Sequence, residues 1–361
     1  MREDVVYPGN CRELYEEITL IHQSLPGISY SDLDTSTVFL GYRLNYPIVI
    51  EAMTGGHPDL KPINEKLAKL ASQYRIAIGV GSQRPIIKSG FNKEIVESYR
   101  IVRETAVDVP VIGNIGIAQL NELSIDDVKK LVEVIEADAL AIHLNPAQEM
   151  IQPEGDVNFR DDLLSKIKML VKELDVPIII KEVGNGLSME TVAKFRELEI
   201  KIFDVAGTCG TDWVKIEALR NPENSVSRVV GFTLSEAKWG IPTPLSLIEA
   251  RYAAPDATIV ASGGVWSGVV AAKLIALGGD LVGAARPFLK ALLEHGEEGL
   301  RSFLDKYIGE LKAVMFLTGS RTLRELRYKP IVLGLSVRNY LEQRGINVYK
   351  YLEIYRRGVV A

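Results

Sequence analysis

Eight short apolar runs in the 361-residue chain are each followed by polar or glycine-rich residues that could bind a ligand or carry chemistry. Lys181 ends one of the most apolar runs, and a lysine partly withdrawn from water needs an anionic or aromatic partner. Three roles fit it: a charge held against a flavin or a phosphate, a Schiff-base amine, or an ion pair with a neighbouring strand end such as Asp204. We favour a role in a ligand site.

The last two runs end in small residues. Ser262, Gly263 and Gly264 follow the seventh run, and Gly283 and Ala284 close the eighth. Unhindered backbone N–H groups of this kind suit an anion, and α/β barrels often bind phosphate between these two loops. The alternative is a pair of tight turns that need glycine only for their geometry. We predict a phosphate site.

The fourth run is followed by the densest group of polar side chains. His143 and Asn145 share one face of a strand end, and Gln148 and Glu149 come next. A carboxylate beside a phosphorylated ligand recruits Mg²⁺, although Glu149 would also suit the first turn of a helix, and His143 could be a buried structural histidine. The other candidate site residues are Met53, Thr54, Ser82, Arg84, Asn114 and Thr211. The guanidinium of Arg84 could bind a phosphate or form a surface salt bridge.

The runs and the segments between them predict alternating strands and helices. Continuous apolar runs are typical of strands buried on both faces of a parallel sheet, and they cover 47–53, 76–80, 109–115, 139–144, 176–181, 202–205, 258–261 and 281–284. Amphipathic spacing predicts helices over 63–74, 93–105, 126–135, 161–174, 189–198 and 271–277, with helix starts near Ser124 and Ser188. The eight units predict an α/β fold, a (β/α)8 TIM barrel; a doubly wound open sheet is the alternative.

The repeat leaves an extension at each end. We divide the chain into an N-terminal extension (1–46), a barrel with the ligand site (47–299) and a C-terminal helical tail (300–361), with tail helices over 300–317 and 337–343. Active sites of such barrels lie at the carboxyl ends of the strands, where the polar residues listed above fall. The long segment 206–257 after the sixth strand is also expected to carry function.

Composition excludes several classes of protein. The formal net charge is −5 and there is no basic block, which argues against nucleic acid as a partner. No apolar run approaches the roughly 20 residues of a membrane helix, and the charged N-terminus does not read as a signal peptide. Cys11 and Cys209 show neither metal-ligand spacing nor a disulfide framework, so we expect a reduced, cytoplasmic protein.

The candidate residues include no Ser–His–Asp spacing and no cluster of His and Cys ligands. The segment 79–81 also lacks the third glycine of a dinucleotide fingerprint. We therefore expect a bound cofactor to carry the chemistry, with the protein positioning it.

Together these motifs resemble type 2 isopentenyl-diphosphate isomerase. The resemblance runs from about Leu20 to Gly319 and rests on 53–56 (MTGG), 79–84 (GVGSQR), 143–149 (HLNPAQE), 152–155 (QPEG), 181–186 (KEVGNG) and 262–264 (SGG). The segment 143–155 is the most specific of these.

The resemblance implies an FMN-dependent barrel that assembles as a homotetramer or homo-octamer. Such enzymes interconvert isopentenyl and dimethylallyl diphosphate on reduced FMN with Mg²⁺, and NADPH supplies the reduction. It implies that Gln148, Lys181 and His143 are catalytic and that Arg84, His143, Asn145 and Gln148 bind the prenyl diphosphate. It further implies that Glu149 binds Mg²⁺, and that FMN is held by Met53, Thr54, Ser82, Asn114, Lys181, Thr211, Ser262, Gly263, Gly264, Gly283 and Ala284.

The chain departs from the family pattern at several places. The usual N-terminal Arg-Lys pair is replaced by a start in which only Arg2 is basic. Ala206 and Cys209 replace a polar residue and a glycine after strand six, Trp266 and Val270 replace an Arg and an Asp after strand seven, and Arg286 replaces an apolar residue after strand eight. In the family the Arg-Lys pair helps to bind the diphosphate, so the flavin site is better retained here than the diphosphate-binding residues.

These departures leave several functions open. The leading hypothesis is the isopentenyl-diphosphate isomerase. The alternatives are a diverged flavoenzyme of the same family, either an oxidoreductase or an isomerase of another prenyl compound, a flavin-binding relative without activity, and a Schiff-base aldolase built on Lys181.

Overall fold

A computed structural model describes residues 5–6, 11–160 and 162–358, and Arg2 lies outside them. Its strands are β1 (Ile18–Leu20), β2 (Thr37–Phe39), β3 (Tyr42–Leu44), β4 (Ile48–Ile50), β5 (Ala77–Gly79), β6 (Val111–Gly116), β7 (Ala139–Leu144), β8 (Ile178–Glu182), β9 (Ile202–Asp204), β10 (Thr258–Ser262), β11 (Leu281–Ala284) and β12 (Ile331–Leu333). Strands β4 to β11 are the predicted runs. They form a closed parallel barrel in the order β10-β11-β4-β5-β6-β7-β8-β9, so the TIM barrel is confirmed and the open sheet is excluded.

Helices surround the barrel. They are α1 (Arg12–Glu16), α2 (Lys61–Tyr74), α3 (Arg84–Lys88), α4 (Lys93–Thr105), α5 (Ile125–Glu133), α6 (Pro146–Ile151), α7 (Asp162–Glu173), α8 (Met189–Arg196), α9 (Trp213–Arg220), α10 (Val226–Glu236), α11 (Thr243–Ala253), α12 (Gly268–Leu277), α13 (Arg286–Leu317), α14 (Leu323–Tyr328), α15 (Leu335–Gln343) and α16 (Val348–Glu353). The starts predicted at Ser124 and Ser188 are confirmed, because each side chain accepts a hydrogen bond from a first-turn N–H. Gly296, at φ 66°, breaks α13 into two helices.

The amino-terminal end of the barrel is closed by the β2–β3 hairpin. Phe39 and Leu44 are buried against Val49, Ile112 and other inward side chains of the barrel strands. The Tyr42 hydroxyl donates to Asp138, the residue that precedes β7. With one end of the barrel plugged by apolar side chains, a ligand can enter only from the carboxyl ends of the strands.

The two extensions pair with each other. β1 and β12 form an antiparallel ladder in which Ile18 lies opposite Leu333. We had expected a helical C-terminal tail, but the tail also contains the strand β12. The prediction missed β12 because a three-residue strand of the tail has no nearby partner in sequence.

Cys11 and Cys209 form a disulfide across 198 residues, with their Cα atoms 5.1 Å apart. The expectation of two reduced cysteines without a disulfide is therefore wrong. The pairing arises because the N-terminal segment returns to the loop after β9, where the Asp212 N–H donates to the Val5 carbonyl. Spacing along the chain could not show this contact, since the tertiary fold alone creates it.

Candidate active site

A cavity of about 390 Å³ opens at the carboxyl ends of the barrel strands. Its lining includes the predicted residues Met53, Thr54, Ser82, Asn114, His143, Gln148, Lys181, Thr211, Ser262, Gly263, Gly264, Gly283 and Ala284. The structure thus brings together most of the residues that the sequence selected. Arg84, Asn145 and Glu149 do not line this cavity.

The floor of the cavity carries a network of buried charges. The Lys181 ammonium lies 2.8 Å from Glu51 Oε2 and contacts Asp204 Oδ2, while Asp204 Oδ1 accepts a hydrogen bond from the Ser262 hydroxyl. Burial disfavours the charged amine, but the Asp204 and Glu51 carboxylates outweigh it and raise the pKa of Lys181. Lys181 therefore stays cationic. It forms the predicted ion pair with Asp204 and also lines the cavity.

The loops after β10 and β11 are built from backbone. A Cβ on Gly264, at φ 74°, would lie 1.9 Å from the Cys209 carbonyl oxygen, and one on Gly263 would lie 2.4 Å from the Gly207 carbonyl oxygen. Packing of the loop after β10 against the loop after β9 therefore already requires glycine. The geometric explanation of these glycines is therefore confirmed, and phosphate binding at the same loops stays a prediction.

Trp266 and Arg286 meet beside these loops. Both line the cavity, and the Arg286 guanidinium lies 5.9 Å from the centre of the Trp266 ring. At this distance a cation and an aromatic face attract each other. Two of the departures from the family pattern thus form one contact at the edge of the cavity.

The opposite side of the cavity is built from side chains. His143 Nδ1 lies 2.9 Å from Asn114 Oδ1, and since an amide oxygen only accepts, Nδ1 carries the proton. Burial, together with the positive charges of Lys181 and Arg84, lowers the pKa of His143 to about 3. The imidazole is therefore neutral at ordinary pH.

Helix α6 positions the next three polar groups. The Asn145 side-chain N–H₂ lies 3.1 Å from Gln148 Oε1 and 3.2 Å from Glu149 Oε1, while Asn145 Oδ1 is buried without a hydrogen-bond partner. Glu149 Oε2 accepts from the Asp156 N–H at 2.7 Å. The Asn145 Oδ1 is therefore an acceptor available to a ligand.

Arg84 lies at the start of α3, outside the main cavity. Its Nη2 donates to the Glu154 carbonyl at 3.2 Å, and it lines a second cavity of about 390 Å³ with Lys88, Gln119 and Asp156. The structure therefore separates Arg84 from Lys181 and the glycine loops, which the sequence had grouped together.

Two acidic residues of the site escaped the sequence analysis. Glu51 directly follows β4 and lines the cavity, and Glu217 on α9 accepts from the Gln148 amide at 2.9 Å. A signal existed for Glu51, because it interrupts the apolar run 47–53 much as Lys181 ends its own run. Glu217 had none, since it lies in the long segment after β9.

The described residues contain neither a membrane-spanning helix nor a cluster of metal-ligating side chains. Within 5–6, 11–160 and 162–358, no helix combines the length and apolar character needed to cross a bilayer. In the same ranges, no group of three or more His, Cys, Asp or Glu side chains could hold a metal ion.

Comparison with known proteins identifies close relatives. The sequence profile of the FMN-dependent dehydrogenase family matches residues 104–332. The chain is 47% identical to the isopentenyl-diphosphate delta-isomerase of Sulfurisphaera tokodaii, over 96% of this chain and 93% of that protein. It is 39% identical to the enzyme of the same name from Metallosphaera sedula (99% and 95%) and 42% identical to that from Methanosarcina mazei (92% and 89%).

Solved structures with the same fold are more distant in sequence. A mandelate oxidase variant with benzaldehyde superposes with a TM-score of 0.65 at 17% identity, over 91% of this chain and 92% of that one. A mandelate oxidase with a difluorinated hydroxy acid gives 0.64 at 16% identity, over 91% and 92%. At such identities the likeness shows the barrel fold alone.

Proposed function

Because the chain belongs to the family of the isopentenyl-diphosphate delta-isomerases, we propose that it interconverts isopentenyl and dimethylallyl diphosphate on reduced FMN. We further propose that Mg²⁺ helps to bind the substrate and that NADPH supplies the reduction. The observation that carries the proposal is the single cavity that collects the backbone loops after β10 and β11, the Lys181 ammonium and the polar group around His143.

The residues present fit a flavin phosphate and ring. The loops at 262–264 and 283–284 would hold the phosphate through backbone N–H groups, and Met53, Thr54, Ser82, Asn114, Lys181 and Thr211 would line the rest of the flavin site. When bound, reduced FMN supplies an electron-rich ring that stabilises positive charge on the prenyl chain and exchanges a proton at N5. The protein would keep Lys181 charged against that ring.

The diphosphate and its metal would lie on the side of His143. His143 and Asn145 would line the diphosphate site, and Arg84, approaching from the second cavity, would donate to the diphosphate oxygens. His143 would donate there only as the tautomer that carries its proton on Nε2. The Glu149 carboxylate would bind Mg²⁺ together with diphosphate oxygens and water, the oxygen ligands that this ion prefers. A shared site of this kind needs only one protein carboxylate.

Gln148 would lie beside the reacting carbons. Its amide oxygen accepts from Asn145 and its amide nitrogen donates to Glu217, and Glu217 is in turn held by Arg220 at 2.5 Å. Both ends of the amide are therefore fixed before any substrate arrives. Such preorganisation lets the protein orient the allylic unit without using a strong acid or base of its own.

The remaining expectations stay proposals. They are a homotetrameric or homo-octameric assembly, a cytoplasmic location, and the division of the chain at 46/47 and 299/300. None of them is needed for the chemistry proposed above.

An anaerobic assay tests the function. The protein is loaded with FMN, reduced with NADPH or dithionite and mixed with isopentenyl diphosphate and Mg²⁺, and the dimethylallyl isomer is expected. Omitting the reductant and chelating Mg²⁺ are the controls, and each should abolish product. A yellow, reducible protein that forms no isomer would contradict the proposal and favour a diverged flavoenzyme.

A further inference from the structure

Glu51 is a largely buried carboxylate that the reaction proposed above does not use. It directly follows β4, its side chain is 11% exposed, and its N–H donates to the Ala284 carbonyl at 2.9 Å. Its carboxylate reaches the floor of the cavity, where Lys181 and Asp204 also lie. Three separate strands thus bring three charged groups to one point.

The charges at this point do not balance. One ammonium, that of Lys181, faces the carboxylates of both Glu51 and Asp204. Asp204 is held by two donors, Lys181 and the Ser262 hydroxyl. Among the described residues, the Glu51 carboxylate has Lys181 as its charged donor and lies within hydrogen-bonding reach of the Asp204 carboxylate. Glu51 is therefore the carboxylate whose negative charge is less well stabilised.

The barrel is shaped around this carboxylate. A Cβ on Gly283 would lie 2.1 Å from Glu51 Oε1, so β11 leaves room for Glu51 by carrying glycine at that place. Below it the barrel interior is mostly apolar, with Val49, Gly79 and Ile112, and Asn114 adds an amide. The site therefore has room for the Glu51 carboxyl group but stabilises its negative charge poorly.

The groups that face Glu51 can be named element by element. Among the described residues, the titratable ones are Lys181 from β8 and Asp204 from β9. Strands β5, β6, β10 and β11 present Gly79, Asn114, Ser262 and Gly283 there, and His143 of β7 lines the same cavity. A further negative charge next to Lys181 therefore acts on this trio and on His143, and a proton taken up by one of them offsets it.

We infer that Glu51 is a positioning residue that holds the Lys181 ammonium against the flavin and takes up a proton when the flavin is reduced. The inference rests on the proposed FMN site. Two electrons and one proton convert bound flavin to its reduced anion, and a second proton from solvent then binds a Glu51 carboxylate oxygen. The chemical reductant supplies the electrons, and Lys181 is released from Glu51 to face the new charge.

The proton affinity of Glu51 suits this role. Burial and the charge of Asp204 raise the pKa of Glu51 to about 7, against the opposing effect of Lys181. A second anion beside Lys181 raises the pKa further. Proton uptake on reduction is therefore expected just above neutral pH, where Glu51 is ionised before reduction and protonated after it.

The test measures protons rather than turnover. The midpoint potential of bound FMN is titrated between pH 6 and pH 9 in the wild-type holoprotein and in Glu51→Gln, which keeps the shape that Gly283 accommodates. The slope against pH gives the number of protons taken up per two electrons. Above pH 7 we expect the wild type to take up more than one proton per two electrons, and Glu51→Gln to take up one.

A second measurement uses the wild type alone and does not depend on the variant folding. The reduced-minus-oxidised infrared spectrum should gain a protonated-carboxyl band that shifts in D₂O. One proton per two electrons throughout the range, or no such band, overturns the inference. Two protons in both proteins also overturns it, because the second proton then resides on a group other than Glu51.

Failure of the inference is distinguishable from failure of the proposed function. A protein that does not bind FMN overturns both. A yellow protein that isomerises isopentenyl diphosphate but takes up a single proton on reduction overturns only the role of Glu51.

Discussion

The two sides of the cavity are built by different means. The side formed after β9, β10 and β11, here called the glycine side, consists of backbone at Gly207, Gly263, Gly264 and their neighbours, packed so closely that no side-chain atom can be added. The amide side consists of side chains joined by hydrogen bonds. Asn114, His143 and Gln148 line the cavity, and Asn145, which bonds to Gln148 and Glu149, lies with Glu149 outside its lining. The glycine side is thus governed by shape, and the amide side by charge and hydrogen bonding.

The largest effect is expected from Gly264→Ala on the glycine side. The new Cβ would lie 1.9 Å from the Cys209 carbonyl at a φ of 74°, so the loop must move. We expect the displaced loop to lose its backbone contacts with the FMN phosphate and FMN to bind ~100-fold more weakly, a loss of about 3 kcal/mol in binding free energy. Fluorescence titration with FMN measures it.

Gly90→Ala is the matched control. Gly90 also has a positive φ, 62°, but nothing lies within 4 Å of its added Cβ. It should lose a little stability through backbone strain and none of its FMN affinity. Equal FMN affinities for the two variants would show that the glycine side does not hold the cofactor.

The next effect concerns the disulfide, which tethers the N-terminal segment to the glycine side. Cys11→Ser should lower the free energy of unfolding in urea by about 2 kcal/mol, because the unfolded chain loses a cross-link over 198 residues. A reducing agent should lower the stability of the wild type to the same value and leave Cys11→Ser unchanged. Insensitivity of the wild type to reductant would contradict the tether.

Sequence reasoning succeeded where local patterns decide the structure and failed where distant segments meet. All eight barrel strands and the glycine loops were found, because buried parallel strands are continuous apolar runs and their carboxyl ends converge in any such barrel. What was missed depends on contacts between distant segments: the disulfide, the β1–β12 pair, and Glu217 behind Gln148. Arg84 shows that the position of a residue after a strand does not decide which cavity it lines, because Arg84 follows β5 as predicted but lines a neighbouring cavity.

A smaller effect is expected from Glu149→Gln on the amide side. The amide keeps the size of the carboxylate but removes the charge that would hold Mg²⁺, so the Mg²⁺ concentration for half-maximal isomerase activity should rise at least roughly tenfold. FMN affinity should stay unchanged, because Glu149 does not line the flavin cavity. Glu173→Gln, at an exposed position of α7, is the control. An unaltered Mg²⁺ response would remove Glu149 from the metal site.

The smallest effect is the contribution of His143 to the pH dependence of stability. Its pKa is about 3 in the folded protein and near 6.5 when unfolded, so between these values the unfolded chain binds more protons. The stabilisation is therefore complete above pH 6.5 and is lost as the pH falls toward 3.

Between pH 7 and pH 5.5 the wild type should lose about 1 kcal/mol more than His143→Gln in urea unfolding. Glu51 and Glu182, whose pKa values burial raises to about 7, act in the opposite direction but are present in both proteins, so the difference isolates His143. Parallel losses in the two proteins would mean that the imidazole is charged or solvated in the fold, and the amide side would then be an electrostatic site rather than a hydrogen-bonding one.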